Sequence, residues 1–307
     1  MLGIEAVASY IPKKRMSNYD KKEKFAITDT FIKERIGVET VAVKSHSEET
    51  STLCIKAYQN LKEKIDVKGE EIDVIIVVTQ NPDFNLPQTS AIVHGKLGFP
   101  QSCASFDISL GCSGFVYGLS IIISFMQANK FKKGLLFTSD PYSKIIDPDD
   151  KNTSMLFGDA AAVSLISENP VYVPIDFTYG TLGKSYKDLI CANNVLYMNG
   201  RAIANFVIKE VPVDVKRILD RNNLTTSDID KFLFHQGSGF IVNSLIKKLE
   251  LDPAKVVYDI KKYGNTVSSS IPLLIEKLMP CDSDKTILIS GFGVGLSLSS
   301  AILKRVR

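Results

Sequence analysis

The chain carries the same order of sequence patterns twice. In its first half, helical patterns separate the strand-like stretches "GEEIDVIIVVTQN", "CASFDISLGCSGF" and "KKGLLFTSD". In its second half, helical patterns separate "TSDIDKFLFHQGS", "KVVYDIKKYGNTV" and "DKTILISGFG", at an offset of about 150 to 160 residues. An offset this long is too large for a solenoid repeat. It predicts a duplicated domain whose two copies pack about a pseudo-twofold axis.

Strands and helices alternate along both halves. Short runs rich in β-branched residues predict strands at 74–79, 104–109, 134–138, 160–166, 232–235, 256–259 and 286–290. Helical spacing predicts helices at 51–64, 88–97, 113–127, 207–222, 241–249 and 268–278. The first residues of the chain also have a strand pattern. This alternation predicts an α/β fold in which helical crossovers connect parallel strands.

The bulk composition is that of an ordinary folded protein. Of the 307 residues, 45% are hydrophobic and 23% are charged, close to the averages for globular domains. The formal net charge of +3 is the difference between 37 basic and 34 acidic residues, which is too small to indicate a nucleic-acid partner. The length allows one large domain or two of medium size.

Neither the apolar stretches nor the cysteines indicate a membrane or secreted protein. The most apolar stretch, 115–126, is about a dozen residues long, whereas a membrane-spanning helix needs roughly 20. The N-terminus lacks the basic region of a signal peptide. The five cysteines are an odd number without C-x-x-C spacing. We therefore expect reduced thiols in a cytoplasmic protein that makes no membrane contact.

One cysteine lies where a strand meets a helix. Residues 107–119 read "DISLGCSGFVYGL", which places Cys112 after a predicted strand and at the start of an apolar helix. A helix N-terminus lowers the pKa of a thiol and so favours the nucleophilic thiolate. We therefore expect Cys112 to be the most reactive of the five thiols. Taken alone, the stretch is equally compatible with a small buried hydrophobic side chain.

The duplication brings two further side chains toward this cysteine. His235 follows a predicted strand in "LFHQGSG", and Asn265 lies in "KYGNTVSSS". Parallel sheets present their loops at the carboxyl ends of the strands, so corresponding loops from two packed halves meet in one cleft. Without the duplication, His235 is better interpreted as a core histidine. With it, we expect His235 and Asn265 to lie opposite Cys112.

Four ordered motifs resemble those of a known family. They are Gly111-Cys112-Ser113-Gly114, His235-Gln236, Gly264-Asn265-Thr266 and the stretch "GFGVGLS" at 291–297. Together with "ERIGVET" and "DPDDKNTSMLFGDAAAV", they are similar, in order and spacing, to the β-ketoacyl-acyl carrier protein synthase III enzymes of the thiolase superfamily. The similarity is collinear over nearly the full chain.

The resemblance implies a fold and an assembly. The fold is a five-layered αβαβα sandwich built from duplicated βαβ halves. The N-terminal half, 1–168, would carry the nucleophilic cysteine, and the C-terminal half, 169–307, the histidine and asparagine. Family members are homodimers, so a homodimer is the expectation here. No metal and no permanently bound cofactor are expected, because coenzyme A or phosphopantetheine thioesters enter as substrates.

The resemblance also implies an acyltransferase mechanism. Cys112 would accept an acyl group from a thioester, because a thiolate exchanges with a thioester at little cost in free energy. His235 and Asn265 would then hydrogen-bond a malonyl thioester on acyl carrier protein while it loses carbon dioxide, and the resulting carbanion would attack the acyl-cysteine. The backbone N–H groups of Cys112 and Val294 would bind the oxyanion. Such a reaction serves fatty-acid initiation or a specialised acyl pathway.

The substrate-binding positions depart from the family pattern. The resemblance assigns Phe31, Arg35 and Lys151 to the adenine end of coenzyme A, where Phe31 replaces a Trp and Lys151 an Arg. It assigns Arg201, Gly237 and Ser238 to the pantetheine wall and Leu86, which replaces a Phe, to the acyl pocket. These changes predict a primer other than acetyl-coenzyme A, either longer or delivered by a carrier protein. Lys247 and Lys248 would then face the acidic carrier.

Other functions use the same residue types. A papain-like hydrolase has cysteine, histidine and asparagine in this chain order, although Cys112 lacks the local signature of that family. A homologue that transfers an acyl group to an alcohol or an amine without decarboxylation would also use Cys112 and His235. A non-catalytic relative that only holds carrier protein would have no need of all three side chains. The release of carbon dioxide from malonyl thioesters distinguishes the decarboxylative condensation from these three alternatives.

Overall fold

Thirteen strands and eight α-helices make up the computed structural model, which describes all residues, Met1–Arg307. The strands are β1 (Gly3–Tyr10), β2 (Arg15–Ser17), β3 (Thr40–Ala42), β4 (Val74–Val78), β5 (Ala104–Ile108), β6 (Lys133–Ser139), β7 (Ala161–Ser167), β8 (Tyr172–Thr181), β9 (Leu189–Ala192), β10 (Val195–Met198), β11 (Lys231–Phe234), β12 (Thr286–Gly293) and β13 (Ser297–Arg305). The helices are α1 (Lys22–Phe25), α2 (Thr50–Lys64), α3 (Thr89–Leu97), α4 (Gly114–Asn129), α5 (Lys151–Ser154), α6 (Gly200–Arg221), α7 (Gly239–Lys248) and α8 (Ser270–Leu278).

The main sheet has the same strand arrangement in both halves. Its nine strands follow the order β11-β12-β13-β8-β1-β7-β6-β4-β5. Read outward from the centre, β1-β7-β6-β4-β5 corresponds to β8-β13-β12-β11, followed by an isolated parallel bridge between Phe232 and Val256 in the place of a fifth strand. A single residue pair, Ile4 with Tyr172, joins β1 to β8 at the centre.

The helices divide this arrangement into five layers. Helices α2 and α3 cover the outer face of the first half, and α6 and α7 cover the outer face of the second. Between the halves, α4 contacts β4 and β6 on one side and β12 and β13 on the other, while α8 contacts strands of both halves in the same way. The result is the αβαβα sandwich of the thiolase fold. We propose that the halves divide at 168/169, within the connection between β7 and β8.

Strand β4 shows how the sequence produces the layers. All five of its residues are buried, and successive side chains of a strand point to opposite faces of the sheet. Ile76 and Val78 pack with α4 in the middle layer, whereas Ile75 and Val77 pack with α2 outside. An unbroken β-branched run is therefore what a strand covered by helices on both faces requires.

Three of the sequence predictions are corrected. The sheet is mixed rather than parallel, because β7 and β13 run antiparallel to both of their neighbours. The strand predicted at 256–259 is reduced to the bridge at Val256, because the Asp259 N–H is bonded to the side chain of Gln236. Helix α6 begins at Gly200 rather than 207, with the Asn199 side chain accepting from the Ala202 N–H at its start.

The fold contains no helix that is both long and apolar enough to cross a bilayer.

The middle layer predicts a difference between two adjacent isoleucines of α4. Ile122 is fully buried in the core between the halves, whereas Ile121 is 36% exposed. Ile122→Ala should lower the free energy of unfolding by about 2 to 5 kcal/mol, because it leaves a cavity in a close-packed layer. Ile121→Ala, the matched control, should cost about 1 kcal/mol or less. Urea titration measures both, and equal losses would contradict the layer assignment.

Candidate active site

Cys112 lies in the short connection between β5 and α4 and is 4% exposed. Two glycines of β12 pass directly beside it. A Cβ on Gly293 would lie 2.7 Å from the Cys112 Sγ, and a Cβ on Gly291 would lie 2.7 Å from its carbonyl oxygen. Both positions therefore exclude any side chain. The second half thus approaches the cysteine through bare backbone.

The environment of the thiol differs from the sequence prediction. Burial, together with the negative charge of Asp140, raises the pKa of Cys112 to about 12. Hydrogen bonds from the backbone N–H groups of Val294 and of Cys112 itself act in the opposite direction. The expectation that the helix N-terminus lowers this pKa was wrong, because the cost of burying a thiolate is larger than the benefit of these donors.

His235 follows β11 directly and is 2% exposed. Its Nδ1 lies 2.7 Å from the hydroxyl oxygen of Ser270, and its ring meets that of Phe292 edge to face at 5.5 Å between centroids. Burial lowers the pKa of His235 to about 3. The imidazole is therefore neutral at ordinary pH, with Nδ1 against the Ser270 hydroxyl and a backbone contact to Val267 that acts against the lowering of its pKa.

Asn265 is held by backbone groups on both sides. Its N–H donates to the Leu156 carbonyl and its own carbonyl accepts from the Gly158 N–H, at 2.8 and 2.9 Å. The side-chain Oδ1 accepts from the Val267 N–H at 2.9 Å, while Nδ2 makes a single long contact of 3.5 Å to the Gly237 carbonyl. With its oxygen occupied, the amide is oriented to present N–H.

These three side chains line one cavity. It has a volume of about 130 Å³ and includes Gly237, Ser238 and Phe292 in its wall. The other wall residues are mostly apolar: Leu156, Phe157, Leu189, Met198, Ile203, Ala204, Val207, Phe240 and Ile241. In such surroundings a hydrogen bond to a developing charge is stronger than in water. The cavity thus combines a thiol, a neutral imidazole and an amide donor.

Residues predicted at the adenine end lie at the protein surface. The Lys151 ammonium is 4.7 Å from the centre of the Phe31 ring, and the Arg35 guanidinium is 5.7 Å from the centre of the Phe240 ring. Phe240 also lines the cavity, so the second pair connects the surface to the site. The cation above Phe31 covers a ring face on which a flat base would stack.

Two predicted residues do not reach the cavity in this chain. Arg201 is an exposed residue in the first turn of α6, although its neighbour Gly200 lines the cavity. Leu86 is 86% exposed in the connection between β4 and α3. Residues 80–85 of that connection form one wall of a second, wider cleft of about 720 Å³, which also includes Val294 and Leu189.

Sequence reasoning missed the polar groups behind the site. Asp140 is fully buried, and its carboxylate accepts from the Gln80 N–H at 2.7 Å and from the hydroxyl of Ser268. Ser270 holds His235. The signals were an aspartate directly after a strand in "TSD" and three serines directly after "GNTV". Both motifs are short and common, so only their contacts distinguish them.

The chain also matches known proteins over its length. Residues 106–183 match the family described as 3-oxoacyl-[acyl-carrier-protein] synthase III, and residues 219–305 match its C-terminal domain. The β-ketoacyl-[acyl-carrier-protein] synthase III of Streptococcus pneumoniae is 33% identical, with 98% of each chain covered.

Solved structures agree with the sequence match. A 3-oxoacyl-(acyl-carrier protein) synthase from Burkholderia xenovorans superposes with a TM-score of 0.92 at 32% identity, covering 99% of this chain and 94% of that one. The β-ketoacyl-[acyl carrier protein] synthase III of Thermus thermophilus gives a TM-score of 0.92 at 29% identity, covering 99% of both chains. The chain belongs to the 3-oxoacyl-[acyl-carrier-protein] synthase III family, and it is an acyltransferase of the condensing-enzyme class.

The thiol environments predict an order of alkylation that reverses the sequence expectation. Cys281 is exposed and hydrogen-bonded to Ser283, which lowers its pKa below the ordinary value, whereas the pKa of Cys112 is about 12. A thiol is protonated below its pKa, so near pH 7.5 iodoacetamide should label Cys281 at least about tenfold faster, even though a low-pKa thiolate is less nucleophilic. Peptide mapping over time measures this, and faster labelling of Cys112 would contradict the burial argument.

Proposed function

We propose that this protein transfers an acyl group to Cys112 and then condenses it, with loss of carbon dioxide, with a malonyl group carried by acyl carrier protein. The observation that carries the proposal is the meeting of Cys112, His235 and Asn265 in one apolar cavity. The chemistry of both half-reactions follows from what these groups donate. Membership of the family supports it, because the relatives are named for synthesis on acyl carrier protein.

In the first half-reaction the Cys112 thiol attacks the carbonyl carbon of a donor thioester. A new carbon–sulfur bond forms, the bond to the donor sulfur breaks, and the thiol proton passes to the departing thiol. Because burial keeps Cys112 protonated at rest, the proton must leave as the new bond forms. The N–H groups of Cys112 and Val294 stabilise the charge that develops on sulfur and on the substrate oxygen.

In the second half-reaction a malonyl thioester replaces the donor. Its carboxylate leaves as carbon dioxide, and the electron pair moves into an enolate whose oxygen accepts hydrogen bonds from His235 and Asn265. A neutral imidazole is suited to this role, because the pKa of about 3 keeps the ring uncharged, and the remaining N–H of a neutral imidazole donates a hydrogen bond without transferring its proton. The enolate carbon then attacks the acyl-Cys112 carbonyl. A carbon–carbon bond forms, the thiolate leaves and takes up a proton, and a β-ketoacyl thioester is released.

The donor is bound through its phosphopantetheine arm, with Gly237 and Ser238 beside the arm and Phe31, Arg35 and Lys151 toward the nucleotide when coenzyme A carries it. Arg201 lies at the rim. Phe31 is smaller than an indole, and Lys151 is a point charge without a stacking plane. We infer that the nucleotide is held weakly and that acyl carrier protein delivers part of the substrate. The exposed Lys247 and Lys248 at the end of α7 suit an acidic carrier.

The primer in this proposal is longer than acetyl. The 130 Å³ cavity is small, but the 720 Å³ cleft shares Leu189 with it and contains Val294. An acyl chain attached to Cys112 can extend past Val294 into this cleft, where Leu86 lies on the bordering loop. The product would serve fatty-acid initiation or a specialised acyl pathway.

We further propose a homodimer in the cytoplasm that needs no bound cofactor. Strand β5 is at the edge of the main sheet, so one row of its backbone groups is unpaired and can accept a second copy. Leu86 and Phe84, 86% and 61% exposed, project from the neighbouring connection. All five cysteines are free thiols, as in proteins of reducing compartments. A monomer in sedimentation equilibrium would contradict the dimer.

Removing either enolate donor should separate the half-reactions. His235→Ala and Asn265→Ala should lower carbon dioxide release from malonyl-acyl carrier protein about 100- to 1,000-fold, because each removes a preorganised donor. Acylation of Cys112 should persist in both, as measured by intact-protein mass. His46→Ala, at an exposed histidine, is the control and should leave both rates unchanged. Decarboxylation at the unmutated rate in either site variant would show that its role is misassigned.

Restoring an indole should improve one donor class. Phe31→Trp should raise kcat/KM for coenzyme A thioesters several-fold, up to about tenfold, because a larger ring adds stacking of about 0.5 to 1.5 kcal/mol. The same variant should leave carrier-protein donors unchanged, since they bring no adenine to this site. The comparison uses acetyl, C4 and C8 chains on both carriers. Equal gains on both carriers, or acetyl-coenzyme A as the best donor of the unmutated protein, would contradict the proposed donor specificity.

A further inference from the structure

Four consecutive residues behind the cavity each hold a different group. The Val267 N–H holds the Asn265 amide oxygen at 2.9 Å, and the Ser270 hydroxyl oxygen lies 2.7 Å from His235 Nδ1. Between them, Ser269 donates to the Thr138 carbonyl at 3.0 Å, and Ser268 donates its hydroxyl to Asp140. Segment 267–270 therefore connects both proposed enolate donors to the end of β6.

The backbone of this segment is strained. Val267 has a φ of 52°, a left-handed conformation that is a genuine outlier for a β-branched side chain. Such a conformation is unfavourable by itself and persists only where surrounding contacts fix it. The contacts that Ser268 and Ser269 make to Asp140, Thr138 and Ala160 are the ones that come from the other half. Without them, no side-chain hydrogen bond from the first half holds the segment in place.

Asp140 is the charged group among these contacts. It follows β6 directly, is fully buried, and its hydrogen bonds come from the Gln80 N–H after β4 and from Ser268 in the other half. The backbone N–H of Ser268 and the side chain of Asn81 also stabilise its charge. Each of these groups donates to the carboxylate, so the ionised form satisfies all of them at once.

We propose that Asp140 is a positioning residue for the condensation step: its ionised carboxylate fixes segment 267–270, and through it Asn265 and His235. The inference rests on the proposed function, and the contacts of segment 267–270 carry it. No group of Asp140 touches substrate, since it lies behind the cavity wall rather than in it.

The charge of Asp140 acts on titratable groups from three directions. Its negative charge raises the pKa of Cys112 before α4, of Tyr142 after β6 and of Cys54 on α2. Burial raises the pKa of Asp140 itself to about 6. As pH falls through about 6, the carboxyl gains a hydrogen that must face a donor, so one contact to segment 267–270 or Gln80 is lost. His235, with a pKa of about 3, does not titrate there.

The test is Asp140→Asn, which keeps the shape and removes the charge. The NH2 group of the Asn amide, like the proton of a protonated carboxyl, would face a group that donates to Asp140, so that hydrogen bond would be lost. Decarboxylation should fall about 10- to 100-fold, the range for lost positioning contacts. The rate for the unmutated protein should decline as pH falls through about 6, whereas the variant should be slow and flat over the same range. At pH 8, iodoacetamide should label Cys112 several-fold faster in the variant, a change in the opposite direction.

Ser268→Ala separates positioning from charge. It removes one contact to Asp140 and keeps the carboxylate, so decarboxylation should fall while the alkylation rate of Cys112 stays unchanged. The control is Asp214→Asn, a buried aspartate that accepts from Thr178, Ser300 and Arg217 and does not line the cavity. It should lower the melting temperature without altering the pH profile.

Different outcomes contradict the positioning role and the expected effect of the Asp140 charge on Cys112. The positioning role is overturned if Asp140→Asn or Ser268→Ala decarboxylates at the unmutated rate. It is also overturned if the decline in rate below about pH 6 persists in Asp140→Asn. Unchanged alkylation of Cys112 in Asp140→Asn overturns the charge effect. If Asp140→Asn does not fold, as judged by circular dichroism, the decarboxylation rate of Ser268→Ala and the pH dependence of the unmutated protein test the positioning role instead. If the unmutated protein releases no carbon dioxide, the proposed function fails, and the alkylation comparison still decides the charge effect.

Discussion

The burial of the two central helices fixes the geometry of the candidate site. Helix α4 begins two residues after Cys112, and α8 begins at Ser270, the partner of His235. Each helix packs its apolar side chains against strands of both halves, so neither can move without opening the core. Their N-termini are thereby held near each other, because α4 also contacts the turn 267–269 directly before α8. The Ser113 hydroxyl before α4 lies 2.7 Å from the Ser297 hydroxyl at the start of β13. The polar contacts at the site refine a position that apolar packing has already set.

The apolar lining of the cavity and the burial of its polar side chains determine which chemistry these side chains can do. Burial keeps Cys112 protonated and His235 neutral, so the resting site holds no ion pair between thiolate and imidazolium. A papain-like mechanism depends on such a pair. This site instead offers fixed hydrogen-bond donors, and such donors stabilise negative charge that develops on a substrate oxygen. The site is therefore better suited to stabilising an enolate than to activating water.

The cavity and the residues proposed to bind the donor differ in how strongly the surrounding structure fixes them. The cavity is enclosed by core residues and backbone, whereas Phe31, Lys151 and Arg35 meet their partners at the surface, where cation–π contacts are worth about 0.5 to 1 kcal/mol. Leu86 lies on an exposed connection with no cavity contact in its own chain. In the proposed assignment, surface substitutions would therefore change the specificity for the donor without disturbing Cys112, His235 and Asn265.

The sequence by itself determined the class of fold and the duplication, because strand runs and helix spacing are local patterns. Its ordered motifs also selected Cys112, His235 and Asn265, which the structure brings together in one cavity. Tertiary structure decided the rest. The antiparallel course of β7 depends on its pairing with β1, which is distant in the chain, whereas β13 pairs with β12 in a hairpin that closes between Gly293 and Ser297. The ionisation of Cys112 depends on burial and on Asp140, 28 positions away. A contact between the two halves, and the burial of one side chain in a loop, leave no periodic pattern in the sequence. A local motif could therefore predict the position of the thiol in the chain but not its charge state.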